Sequence, residues 1–103
     1  MNNTICPIAK LGNLILLIHY NDLPILGKEI NLKCIQVDFD NKSIDEPWEI
    51  EKHFKFNPWE IIEDVKEREV VWQKISAEFS EQEIKTKIIE PLEKNMINVN
   101  SAI

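Results

Sequence analysis

Asn57-Pro58-Trp59-Glu60-Ile61-Ile62-Glu63-Asp64-Val65 is the stretch whose reading decides the fold. Asn57 is a good N-cap, because its side-chain oxygen can accept a backbone N–H that the first helical turn leaves unpaired. Pro58 then stands at N1, where the missing N–H costs nothing and φ is already helical. Glu60 falls at N3, completing a capping-box pattern and setting negative charge against the positive end of the macrodipole. The stretch therefore predicts a helix over 58–78. Everything before it reads as strand and turn, and everything after it as helix.

Downstream, Ile61, Val65, Trp72, Ile75 and Phe79 recur at helical spacing and form the expected inner stripe, with Val71 beside it. Arg68 falls inside that stripe, so it is expected either to snorkel at its edge or to pair with Asp64 one turn earlier. Trp59 and Val70 lie on the opposite side. Trp59 either folds back onto the entering chain or stands out as an aromatic anchor among carboxylates. Ser80-Glu81-Gln82-Glu83 is a second capping box and restarts the chain as a helix. Ile84, Ile88, Leu92 and Met96 form its core stripe, and Pro91 is expected to kink or split it near residues 87–90. Residues 98–103 read as a frayed tail.

Upstream, Pro47-Trp48-Glu49-Ile50-Glu51 echoes Pro58-Trp59-Glu60-Ile61-Ile62-Glu63. Two such short copies do not make a repeat. They read as two helix starts with one capping solution, the first capped by Asp45 and running over about 46–54. Leu14-Ile15-Leu16-Leu17-Ile18-His19-Tyr20 is a continuous apolar run, expected as a central strand buried on both faces. Residues 1–12 hold Ile5, Cys6, Ile8 and Leu11 with Pro7 among them, and so read as an edge strand or an extended arm. Gly12-Asn13 is a turn, and Leu23–Lys28 is a connection or a short edge strand. Residues 30–39 are a further strand. Ile30, Leu32 and Cys34 share one parity and Ile35, Val37 and Phe39 the other, which implies a bulge near Cys34 or burial on both faces. Asp40–Ser43 is a turn, and Ile44 opens a third short strand or a helix entry.

Strands followed by helices, without βαβ alternation, place the chain in the α+β class. The expected architecture is a small antiparallel sheet of three or four strands over 4–44. Two or three helices over 45–97 would cover one of its faces. The 103 residues suffice for one modest core, so residues 1–103 are expected to form a single domain. Cys6 and Cys34 lack any CxxC spacing and fit two buried free thiols in a reducing compartment better than a disulfide. The apolar run 14–18 is too short for a signal-peptide core or a membrane span, and no small-residue cleavage site follows it. A cytoplasmic location is expected, with no membrane association.

The net charge of −6 is unevenly placed. Residues 1–44 carry four acids and four lysines, whereas residues 45–103 carry fourteen acids and eight bases. Direct nucleic-acid binding is disfavoured, because it needs a net basic surface to release counterions. The acidic half suits plain solubility or a basic protein partner.

No motif supplies clear catalytic chemistry. Asp38, Asp40, Glu46 and Glu49 match four EF-hand positions, but Lys42 and Ser43 occupy the two that demand an oxygen ligand and a glycine. That segment reads as a solvated hairpin turn. His19 and His53 fit no zinc spacing with the two cysteines. A His19–Cys34 nucleophile pair across adjacent strands lacks any oxyanion hole or orienting group. Asp64-Val65-Lys66 and Glu83-Ile84-Lys85 resemble half of a nuclease metal site, yet both fall on expected helices. Two glycines leave no phosphate loop. No cofactor and no metal is expected.

The residues composing 45–69 carry nine acids against four bases, with Trp48 and Trp59 among them. That concentration points to a non-catalytic, protein-binding domain whose contact residues are Trp48, Glu49, Trp59, Glu60, Glu63 and Glu67. Small acidic domains of this kind include inhibitors, immunity proteins and antitoxins of bacteria or phage that block a basic surface. An alternative is a structural subunit or homodimer in which 14–18, or the arm around Pro7, completes a sheet with a second copy. A third is a small enzyme or ligand-binding domain using His19, Tyr20 and Cys34 at a sheet edge.

Overall fold

A computed structural model describes residues 5–20, 33–50 and 58–93. Three long antiparallel strands dominate: β1 (Ile5–Leu11), β2 (Leu14–His19) and β3 (Lys33–Asp38). Three two-residue strands trim the edges: β4 (Ser43–Ile44), β5 (Trp48–Glu49) and β6 (Glu60–Ile61). The sheet order is β4-β3-β2-β1-β6, with β5 also on β3. Two helical stretches follow, α1 (Val65–Glu78) and a second that opens as α2 (Glu81–Ile84). The class is α+β. The described strands number six rather than three or four, because the connections dip into the ladder where sequence periodicity is too short to register.

β2 is central and buried on both faces, as its unbroken apolar run demands. Side chains alternate across a sheet, and two cores result. Ile15 and Leu17 join Ile5, Ile35 and Val37 on the face covered by Trp72, Ile75 and Phe79 of α1 and by Ile84, Ile88 and Leu92. Leu16 and Ile18 join Cys6, Ile8, Ala9 and Cys34 on the other face, together with Ile50 and the edge of Trp59. Each large aliphatic side chain so buried contributes about 2 kcal/mol before its entropy cost. Because β1 and β3 already take both edges of β2, the run 14–18 is not available to complete a sheet with a second copy.

The phase change in β3 reflects burial on both faces. Its ladder with β2 runs without interruption from Leu14↔Asp38 to Leu17↔Ile35. The bulge lies instead in β1, between Pro7 and Ala9. Proline cannot donate to a ladder, and the extra residue leaves Ile8 and Ala9 together in the second core. It also turns Lys10 to the helix-covered face, opposite Ile15. β1 is not an edge strand, since β6 pairs with it at Ala9 and Lys10. Pro7 is tolerated because that pairing stops short of it.

The expected helix start at Asn57 is overturned. Asn57 lies outside the described residues, and Pro58 and Trp59 have no regular structure. Glu60 and Ile61 are strand, and the Ile62 N–H donates to the Ile8 carbonyl at 2.8 Å. The edge of β1 offered unpaired backbone groups, and pairing them outweighed a good capping sequence. The true N-cap is Asp64, whose carboxylate accepts the Lys66 N–H at 3.0 Å. In consequence Ile61 and Val65 are 49% and 61% exposed, whereas Trp72, Ile75 and Phe79 are buried as expected.

The expected helix over 46–54 fails at its start. Trp48 and Glu49 pair with Cys34 and Lys33 as strand, while 51–54 lie outside the described residues. β4 and β5 behave as one edge strand interrupted around Pro47, with one extra residue between Val37↔Ile44 and Cys34↔Trp48. The expectations on 21–32, His53, Met96 and the tail also lie outside the described residues. The second capping box is present, with Ser80 Oγ accepting the Glu83 N–H at 3.1 Å. Past it the helix widens into a π-helical turn, Lys85–Ile89, just before Pro91. The proline removes one backbone bond, and the helix absorbs the loss by widening where a kink was predicted.

Two substitutions separate the observed α1 from the predicted one. Ile75→Ala should cost about 2–5 kcal/mol in urea unfolding, and Val65→Ala less than about 0.5 kcal/mol. Comparable losses at the two positions would restore a helix that buries both.

Candidate functional site

The six residues expected to contact a partner fall on opposite edges of the sheet. Trp48 and Glu49 are on β5, along the outer edge of β3. Trp59, Glu60, Glu63 and Glu67 gather where β6 turns into α1, beyond β1. Four strand-to-strand steps separate the two groups in the order of the sheet, about 19 Å at the usual spacing.

At the β3 edge, Trp48 is half-exposed beside Asp45, Glu46 and Pro47, which with it line a shallow groove of about 440 Å³. Asp45 is anchored twice to Gln36. Its N–H donates to the Gln36 carbonyl at 2.9 Å, and its carboxylate accepts from Gln36 Nε2 at 3.3 Å. Glu49 is half-buried and stands opposite Lys33 in the ladder.

At the other edge the charges are partly spent inside the fold. Lys10 Nζ donates to Glu67 Oε1 at 2.6 Å, joining β1 to α1. That hydrogen bond, reinforced by the charges of Glu67 and Glu60, raises the Lys10 pKa. Glu60 faces Lys10 across the β1–β6 ladder. Arg68 is half-buried, and its Nε donates to the Ile62 carbonyl at 2.8 Å, tying the corner to the helix. Trp59 is half-buried against the Cys6–Ile8–Ala9 core. Glu63 is exposed, as are Asp64 and Glu69. A signal for this corner was present in the sequence. Asp64-x-x-Glu67 offers a helix start as good as the one at Asn57.

The remaining chemistry-bearing residues are dispersed. Asp38 closes the hairpin turn, its Oδ1 accepting the Asp40 and Asn41 N–H groups at 2.9 and 3.2 Å and its Oδ2 accepting from Asn41 Nδ2 at 2.7 Å. These bonds, led by the Asn41 side chain, lower the Asp38 pKa. A carboxylate so occupied serves the turn. Among the described residues no group of three or more His, Cys, Asp or Glu is placed to hold a metal ion. Asp64 is consumed as an N-cap, and Glu83 by Ser80 and by Lys87 at 3.8 Å.

His19 and Cys34 cannot act together. His19 shares the parity of Leu17 and pairs with Ile5, on the helix-covered face, whereas Cys34 belongs to the other core. Cys6 and Cys34 are both free and buried. They share a face, but Cys6 pairs with Ile18 of β2, the strand between β1 and β3. Two strand spacings separate β1 from β3, about 10 Å, which is beyond disulfide reach. Burial raises both thiols, Cys34 to about 12 and Cys6 with partial compensation from Arg68. Neither is a nucleophile at neutral pH.

No protein-family model matches the chain, and no curated protein and no solved structure matches it either. Among the described residues no helix is long and apolar enough to cross a membrane.

The thiols give a pH test. The unfolded Cys34 ionises near 9.0 and the folded one near 12, so its contribution to stability is complete below 9.0 and is lost as pH rises towards 12. Cys34→Ala should flatten the alkaline limb of the stability profile. Iodoacetamide at neutral pH should leave both cysteines unmodified in the folded chain and alkylate both in denaturant. Rapid labelling of the folded chain would contradict the burial.

Proposed function

We propose that this chain is a non-catalytic protein-binding domain that docks on a basic surface of another protein through its acidic β6–α1 corner. The observation that carries the reading is the exposure of Glu60, Glu63 and Glu69 around the point where β6 leads into α1, with Lys66 the exposed base among them and Arg68 bonded to the Ile62 carbonyl. Carboxylates held this way cost little reorganisation on binding and speed encounter with a positive partner. In this reading the chain works as inhibitor, immunity and antitoxin proteins do, by covering a basic site. That comparison is one of class alone. The location that suits it is the cytoplasm, where two free buried thiols stay reduced.

An affinity capture from the native host, at low and at high salt, with mass spectrometry of the eluate, tests this. A basic protein should be recovered at low salt and diminished at high salt. Glu60→Lys with Glu63→Lys should reduce its recovery and slow its association by about tenfold or more at low salt. Equal capture by the charge-reversed chain would remove the acidic corner from the account.

A further inference from the structure

α1 starts later than its own sequence pattern. Ile61, Val65, Arg68, Trp72, Ile75 and Phe79 follow one another at intervals of four and three, the spacing that keeps side chains on one helical face. The observed helix uses that pattern only from Val65 onward, and the first member, Ile61, belongs to β6. Ahead of it Asn57-Pro58-Trp59-Glu60 spells a complete helix start, with proline at N1 and glutamate at N3. A strand of two residues overrides this signal. Local signal and fold disagree there, the circumstance in which two arrangements of one sequence compete.

The contacts that hold the strand are few. Glu60 and Ile61 pair with Lys10 and Ala9, and the Ile62 N–H donates to the Ile8 carbonyl at 2.8 Å. Ile62 is 1% exposed, whereas Ile61 is 49% exposed and contributes little. A helix continued back to Pro58 re-pairs the same backbone. The Lys66 N–H, now bonded to the Asp64 carboxylate at 3.0 Å, passes to the Ile62 carbonyl four residues earlier. That carbonyl now accepts from Arg68 Nε, so Arg68 is released and stands one turn from the freed Asp64 carboxylate. The side chain that loses is Ile62, which helical geometry turns about 100° from Ile61 and off the stripe. Its burial makes the strand the resting form.

We propose that residues 58–64 are a strand–helix switch. Closed, they lie on β1 as β6. Open, they wind onto the start of α1 and leave the outer edge of β1 unpaired at residues 8–10. The two forms exclude each other, because the Ile62 N–H bonds either to the Ile8 carbonyl or, in the helix, to that of Pro58. An unpaired strand edge is what takes up an added strand, so the switch controls access to β1. No partner is needed for the change itself, which stands apart from the acidic-corner reading.

Ile62→Ala removes the burial that favours the strand and supplies a better helix former. It should add about two turns of helix to the circular dichroism of the full chain, with the carbon-13 shifts of residues 59–64 moving from extended to helical values. A disulfide joining Ala9→Cys to Ile61→Cys, opposite each other in the ladder, should abolish that gain, and its reduction should restore it. A folded Ile62→Ala chain whose residues 59–64 keep extended shifts, or take coil shifts, overturns the switch. If Ile62→Ala does not fold, carbon-13 saturation transfer on the wild-type chain decides. A minor state with helical shifts at 59–64 is expected there, and a minor state with coil shifts, or none, overturns the switch.

Discussion

The structure depends on the need of one strand to be covered twice. Residues 15–19 of β2 are all buried, and consecutive side chains of a strand point to opposite sides. No single helical layer can meet that demand. The two cores divide the work: α1 and the segment from Ile84 to Leu92 take Ile15 and Leu17, while Ile50 and Trp59 approach Leu16 and Ile18 from the other side. The strand also has to satisfy its backbone on both edges. β1 and β3 supply that, and their own outer edges are closed by two-residue strands too short to invite pairing with another chain.

The bulge in β1 carries this arrangement to the surface. With strict alternation Ala9 would face the helices and Lys10 the second core. The extra residue at Pro7–Ala9 exchanges them, burying the small apolar side chain and freeing the lysine to reach Glu67. β6 then pairs where the bulge leaves β1 regular, at Ala9 and Lys10, and the chain turns into α1 behind Asp64. Arg68 fixes that turn from within the helix. A surface on a corner held at three points is pre-organised, which is what a small binding domain needs to limit the entropy it loses on contact. Its function, in the reading advanced above, is a consequence of where β1 breaks its register.

The carboxylates of the helical half do unequal work. Glu67 is tied to Lys10, Asp64 caps α1, and Glu83 caps α2, so each serves the fold. Glu60 is exposed while facing Lys10 across the ladder, and Glu63 is exposed at the turn itself. Net charge alone would count all five as one acidic face. Their partners show that only part of that charge is left facing outward.

The sequence by itself determined the features whose causes are local. An unbroken apolar run required a central strand, Gly12-Asn13 a hairpin and Ser80-x-x-Glu83 a helix start, and each is present, whereas at Pro91 the expected kink or split is a π-helical widening of a helix that continues. It also determined the α+β class and the burial of Trp72, Ile75 and Phe79. Only the tertiary structure decided between Asn57 and Asp64 as the start of α1, because both are sound caps. The choice was made by β1, whose Ile8 carbonyl takes the N–H of Ile62, 54 positions along the chain. Pairing with the edge of β3 likewise drew Trp48 and Glu49 into a strand and set them across the sheet from Trp59. Capping and periodicity act within one or two turns of chain, whereas an unpaired strand edge recruits whatever backbone the fold brings beside it. The candidate site stands at such an edge, which is why its acids were legible in the sequence and the exposure of Ile61 and Val65 was not.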